Sequence, residues 1–94
     1  RIPTPLINRT LRDIIDQRQP PNKTGKRFKL YYAVQLEGSP PAFTLFVNAP
    51  HVCSDQYELY VTRQLRSAFG FEGCPIRFFV KERPKSIEPV RRNS

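Results

Sequence analysis

Apolar residues along this chain switch between two spacings, and the switches mark its elements. Ile7, Leu11, Ile14 and Ile15 recur at helical spacing, with Arg9, Arg12, Asp13 and Asp16 on the other side. Thr4 is placed to cap this helix, and Pro5 suits its first turn, where a missing N–H removes no hydrogen bond. Pro20-Pro21 ends it. The period then drops to two: Phe28, Leu30, Tyr32, Val34 and Leu36 alternate with Arg27, Lys29, Tyr31, Ala33 and Gln35, a strand from Arg27 to Leu36. Glu37-Gly38-Ser39-Pro40-Pro41 is a hairpin-length loop. A second strand follows from Ala42 to Asn48, with Phe43, Leu45 and Val47 set against Thr44, Phe46 and Asn48.

The helical period returns beyond Asn48-Ala49-Pro50-His51. Ser54 is the expected cap, and Tyr57, Val61, Leu65 and Ala68, with Tyr60 and Phe69 beside them, give one apolar face. Gly70 sits where a helix releases its chain through a left-handed residue. Gly73-Cys74-Pro75 then turns into a third strand, roughly Ile76 to Lys81, in which Ile76, Phe78 and Val80 alternate. The order helix–strand–strand–helix–strand predicts a two-layer α+β domain, with two helices on one face of a three-stranded sheet. Residues 1–81 make the folded unit. Residues 82–94, rich in Lys, Arg, Pro, Ser and Asn, are expected to form a basic, disordered tail.

With Phe28/Leu30/Tyr32, Phe43/Leu45/Val47 and Ile76/Phe78/Val80 under the helices, the other face of the sheet carries Lys29, Tyr31, Phe46, Arg77, Phe79 and Lys81. Aromatics stack on unpaired bases and cations hold phosphates, so this set suits single-stranded or loop RNA. An exposed aromatic patch fits burial against a neighbouring domain equally well.

Charge sharpens this reading. Sixteen Lys and Arg against eight Asp and Glu leave a net charge of +8 over 94 residues. Residues 9–29 carry +5 and residues 77–94 carry +4, whereas residues 30–76 carry −2. An acidic partner is favoured. The candidate phosphate contacts in the two basic segments are Arg9, Arg12, Lys23, Lys26, Arg27, Arg83, Lys85, Arg91 and Arg92. Asn22-Lys23-Thr24-Gly25-Lys26 reads as a flexible basic loop.

Several functions find no support. No apolar run is long enough to cross a membrane, and no secretory signal is visible. Cys53 and Cys74 flank a helix of about fifteen residues, roughly 22 Å long. That is beyond the reach of a disulfide, so both are expected as reduced thiols in a cytoplasmic protein. Two Cys and one His complete no structural zinc site, and His51 has no nucleophile pattern near it. No phosphate-cradling GxxxxGK[ST] occurs, so no nucleotide, metal or small-molecule substrate is expected in this chain. The Gly70-Phe71-Glu72-Gly73 run spells GxxG, the backbone clamp of KH domains. Here it joins a helix to a strand rather than two helices, and capping and turning explain both glycines. The absence of an initiator methionine suggests a fragment of a longer chain.

Four segments, IPTPLINRTLRD, KRFKLYYAVQ, SPPAFTLFVNAP and RQLRSAFGFEGCPIR, resemble the C-terminal KH-like domain of the Der (EngA) GTPases, bacterial proteins with two tandem Era-like G domains. They run in family order over residues 2 to about 81, FVN and AFGFEG-PIR being the most specific. The resemblance implies a KH-like fold without the usual nucleic-acid clamp, and a non-catalytic part in ribosome assembly. GTP and Mg are then expected in upstream G domains, with those domains and the large ribosomal subunit and its rRNA as partners. On this basis the open-face residues serve as rRNA contacts or as G-domain contacts. The alternative is a purely intramolecular scaffold for the G domains, with no direct RNA contact.

Overall fold

Helix α1 (Thr4–Gln17) starts one residue earlier than expected, because Pro3 rather than Thr4 occupies the cap position. Thr4 lies inside the helix and its side chain caps nothing; the Pro3 carbonyl takes the Leu6 and Ile7 amides instead. The structure, a computed structural model, describes residues 2–71 and 73–84. Strands β1 (Leu30–Leu36) and β2 (Ala42–Val47) form an antiparallel hairpin. A short 3₁₀ turn at Pro50–Val52 leads into helix α2 (Asp55–Phe69), and β3 (Arg77–Glu82) returns parallel to β2. The sheet order is β1-β2-β3, so β2 is central and the expected α-β-β-α-β architecture is present.

Helix α2 has the ends its sequence demands. The Ser54 hydroxyl accepts the Tyr57 amide at 3.1 Å, and Gly70 takes a left-handed φ of 75°. Tyr57, Val61 and Leu65 are buried as expected, but Ala68 is exposed. Two tyrosines fasten α2 to α1. Tyr57 donates to the Arg18 carbonyl at 2.6 Å and Tyr60 to the Ile14 carbonyl at 2.8 Å, which also takes the Arg18 amide. Ile7, Leu11, Ile14 and Ile15 complete this layer over Phe28, Leu30, Ala33, Phe43, Leu45 and Val47.

The first strand departs from its simple alternation. Leu30 pairs with Val47, but Tyr32 pairs with Phe46, so Tyr31 is an extra residue in a bulge. Every side chain after it changes face. Ala33 therefore faces the helices at 1% exposure, and Tyr32, Val34 and Leu36, expected inside, lie outside at 40%, 39% and 37%. The expected burial of Tyr32 is corrected accordingly. Ile76, just before β3, and Phe78 and Val80 on it are only half-buried.

Side-chain amides hold the chain around this bulge. Asn8 bonds both backbone groups of Ala33, and Gln19 both groups of Phe28. Asn48 accepts the Lys29 amide and donates to the Arg27 carbonyl. Arg12 donates to the Tyr31 carbonyl. Helix α1 and its following residues thus cover the outer edge of β1 from Phe28 to Ala33, where unpaired backbone groups would otherwise lie.

Candidate docking and nucleic-acid surface

Strand register lays the helix-free face of the sheet out as three rows. One runs Leu36–Ala42–Arg77, the next Val34–Thr44–Phe79, and the third Tyr32–Phe46–Lys81. Thr44, at the centre, is buried beneath its neighbours at 8% exposure. Tyr32 and Phe46 stack with ring centroids 4.7 Å apart and planes 28° from parallel. Phe79 is exposed, and the Arg77 guanidinium lies 5.5 Å from its ring centre. The face is thus aliphatic at the Leu36–Val34 corner, aromatic at Tyr32, Phe46 and Phe79 around a central Thr44, and cationic at Arg77 and Lys81 on β3.

Five of the expected open-face residues, Phe46, Arg77, Phe79, Lys81 and Lys29, fall on this side or at its end. Lys29 sits beside Asn48, one step beyond the Leu30–Val47 pair. Tyr31 is different, because its place in the bulge carries it under Arg83, whose guanidinium sits 3.9 Å from the ring centre. That stacking joins the end of β3 to the bulge in β1. The reading from alternation missed Tyr32, Val34 and Leu36, which fill one side of the face.

The basic candidates fall into separate groups. Arg12 and Arg27 flank the start of β1, with Arg27 paired to Asp16 at 2.8 Å. Lys23 and Lys26 are exposed in a loop closed by its own hydrogen bonds: Asn22 Oδ1 accepts from the Thr24 amide at 3.0 Å, and Asn22 Nδ2 donates to the Lys26 carbonyl at 2.8 Å. Arg9 is exposed on α1 and does not line the cleft beside Arg12. Lys85, Arg91 and Arg92, with most of the expected tail, lie outside the described residues.

Among the described residues, no group of three His, Cys, Asp or Glu is placed to hold a metal ion, and no helix is long and apolar enough to cross a membrane. Cys53 and Cys74 are free thiols. Burial, followed by the Glu58 and Asp55 carboxylates, pushes the Cys53 thiol from 9.0 to about 11. Burial also raises the Tyr57 hydroxyl, whose proton is held on the Arg18 carbonyl. The Glu58 carboxyl is raised by burial and then by Asp55. In all three the largest cause is burial.

A family model described as the C-terminal KH-domain-like unit of EngA bacterial GTPase enzymes matches residues 1–81. The chain belongs to this family. It is 49% identical over 85 residues to GTPase Der of Natranaerobius thermophilus, covering 88% of this chain and 19% of that protein. It is 46% identical over 85 residues to GTPase Der of Pelotomaculum thermopropionicum, covering 90% and 19%. A Synechococcus GTPase Der is 44% identical over 80 residues, covering 84% and 18%. The chain therefore spans about a fifth of the length of these Der relatives. The part it matches is the non-catalytic KH-like domain at their C-terminal end. Gly70 and Gly73, both at positive φ, serve that Der-type domain as helix release and turn.

Proposed function

We propose that this chain is the accessory domain through which a Der-family ribosome-assembly GTPase associates with the large ribosomal subunit and packs against its own upstream G domains. One observation carries the reading: the helix-free face sets the Tyr32–Phe46 stack and exposed Phe79 beside Arg77 and Lys81. Flat rings next to cations suit unpaired bases and their phosphates. The domain holds no reaction of its own in this proposal; GTP hydrolysis belongs to the domains before it.

A specific feature supports the second reading, an intramolecular scaffold without RNA contact. Val34 and Leu36 are exposed but offer neither a π-face nor a charge. An aliphatic corner of this kind is better matched by a protein surface than by nucleic acid. The two partners fit different ends of one face, so both can be served.

The test is binding of the chain to purified large ribosomal subunits and to an unrelated structured RNA over a salt series. Subunit binding that persists at physiological salt after competitor binding has gone is expected, and Phe79→Asp should weaken it. Equal, steeply salt-dependent binding to both RNAs would assign recognition to the G domains and leave this domain as scaffold.

A further inference from the structure

Three cations meet where α1 crosses the bulge of β1. Arg12, Arg27 and Lys29 line a cleft of ≈ 380 Å³ together with Asp16, Phe28 and Tyr31. Asp16 balances one of them through its ion pair with Arg27, leaving an excess of two positive charges. The two guanidinium groups are held before any ligand arrives, that of Arg27 by Asp16. Arg12 is anchored on the Tyr31 carbonyl through one nitrogen, which leaves its other donors for an anion. The Arg27–Lys29 segment is fixed on one side by Gln19 and on the other by Asn48. Anchored guanidinium groups on a fixed backbone lower the ordering cost of binding. Guanidinium forks also match phosphate geometry.

The cleft continues toward the aromatic face. Tyr31 lines it and also a second cleft, with Asn48, Arg83 and Pro84. Tyr32, the next residue, begins the Tyr32–Phe46 stack. A ligand crossing the bulge thus meets cations, a cation-covered ring, and then a pair of stacked rings. That succession suits a polyanion bearing flat groups, and an acidic protein segment would use only its first part.

We infer that the Arg12–Arg27–Lys29 cleft takes a phosphodiester of single-stranded RNA whose neighbouring bases reach the Tyr32–Phe46 stack. This rests on the RNA half of the function proposed above. The substitutions that test it are Lys29→Gln and Arg27→Gln, at exposed side chains outside the core, with thermal unfolding as the check on folding. The comparator is Tyr32→Ala, and the probe is an unstructured oligouridylate, with inorganic pyrophosphate as competitor.

Each cleft substitution should flatten log K against log salt by about 0.7. Tyr32→Ala should weaken binding roughly tenfold with the slope unchanged. Unchanged slopes in both cleft variants overturn the cleft, whatever Tyr32→Ala does. Flattened slopes with no effect of Tyr32→Ala keep the phosphate site and remove the aromatic face from the RNA path. Pyrophosphate that displaces RNA from the wild type but not from Lys29→Gln assigns the phosphate to the cleft. Wild-type chain that ignores oligouridylate at low salt overturns both the cleft and the RNA half of the proposed function.

Discussion

The Asn8 carboxamide satisfies both backbone groups of Ala33, accepting from its N–H at 2.7 Å and donating to its C=O at 3.0 Å. Asn8 is 8% exposed and Ala33 1%, so neither backbone group has water as a ready alternative. A buried group left unpaired costs about 1–3 kcal/mol. Asn8→Ala should therefore destabilise the domain by about 2–4 kcal/mol in urea unfolding, and should speed hydrogen exchange at the Ala33 amide. Loss of stability without faster exchange there would place the cost elsewhere in α1.

Gly70 releases α2 at φ 75°, and no atom stands within 4 Å of where a β-carbon would lie. Space is not the constraint; conformation is. Gly70→Ala should cost about 1–2 kcal/mol, and Gly70→Asn clearly less, since asparagine tolerates the left-handed region. Equal midpoints for the two variants in thermal unfolding would show that the helix end relaxes.

Stacking between Tyr32 and Phe46 is open to a double-mutant cycle. A coupling of about 0.5–1.5 kcal/mol is expected from Tyr32→Ala and Phe46→Ala. Additive effects would mean that the rings stand side by side without attraction.

Alkali should destabilise this domain through Cys53 and Tyr57. The native state holds the Cys53 and Tyr57 protons more tightly than the unfolded chain does. The stability that Cys53 contributes is therefore fully present below pH 9 and is lost as pH rises from 9 toward 11. Cys53→Ala should flatten that decline in urea midpoints. At pH 8 iodoacetamide should modify exposed Cys74 well before Cys53, because the thiolate is the reacting form. Equal labelling rates would contradict the burial of Cys53.

Opposite corners of the helix-free face allow its two proposed partners to be separated. Leu36→Asp should change the GTPase rate or the solution scattering of the full Der-type protein while subunit binding survives. Lys81→Glu should weaken subunit binding near physiological salt and leave hydrolysis unaltered. If each substitution disturbed both properties, one partner would have to span the face.

Element order and most of the core were legible because they rest on local signals. Ile7, Leu11, Ile14 and Ile15 keep one face of a helix, and Ser54 and Gly70 mark the ends of another. The bulge was not legible. Phe28, Leu30, Tyr32, Val34 and Leu36 alternate without interruption, and tyrosines at 31 and 32 make the sequence read equally well in either register. The face change is imposed at a distance, by Asn8 on Ala33 and Arg12 on Tyr31. A polar Asn8 within an apolar helix stripe and a small Ala33 among bulky strand residues were the available hints. For the same reason the aromatic and cationic residues of β2 and β3 were placed in advance, whereas Tyr32, Val34 and Leu36 were not.

The cover over the outer edge of β1 from Phe28 to Ala33 also limits how copies of this domain can associate. Fibre growth by strand addition needs a sheet that can recruit a neighbour on each side. Here α1 and its following residues cover the outer side of β1 from Phe28 to Ala33, whereas β3 borders β2 alone among the described residues. Two copies could meet edge to edge through β3, but that pairing would consume the β3 edge in each and end the assembly at a dimer. A chain this rich in aromatic strand residues is thereby kept from polymerising through its sheet.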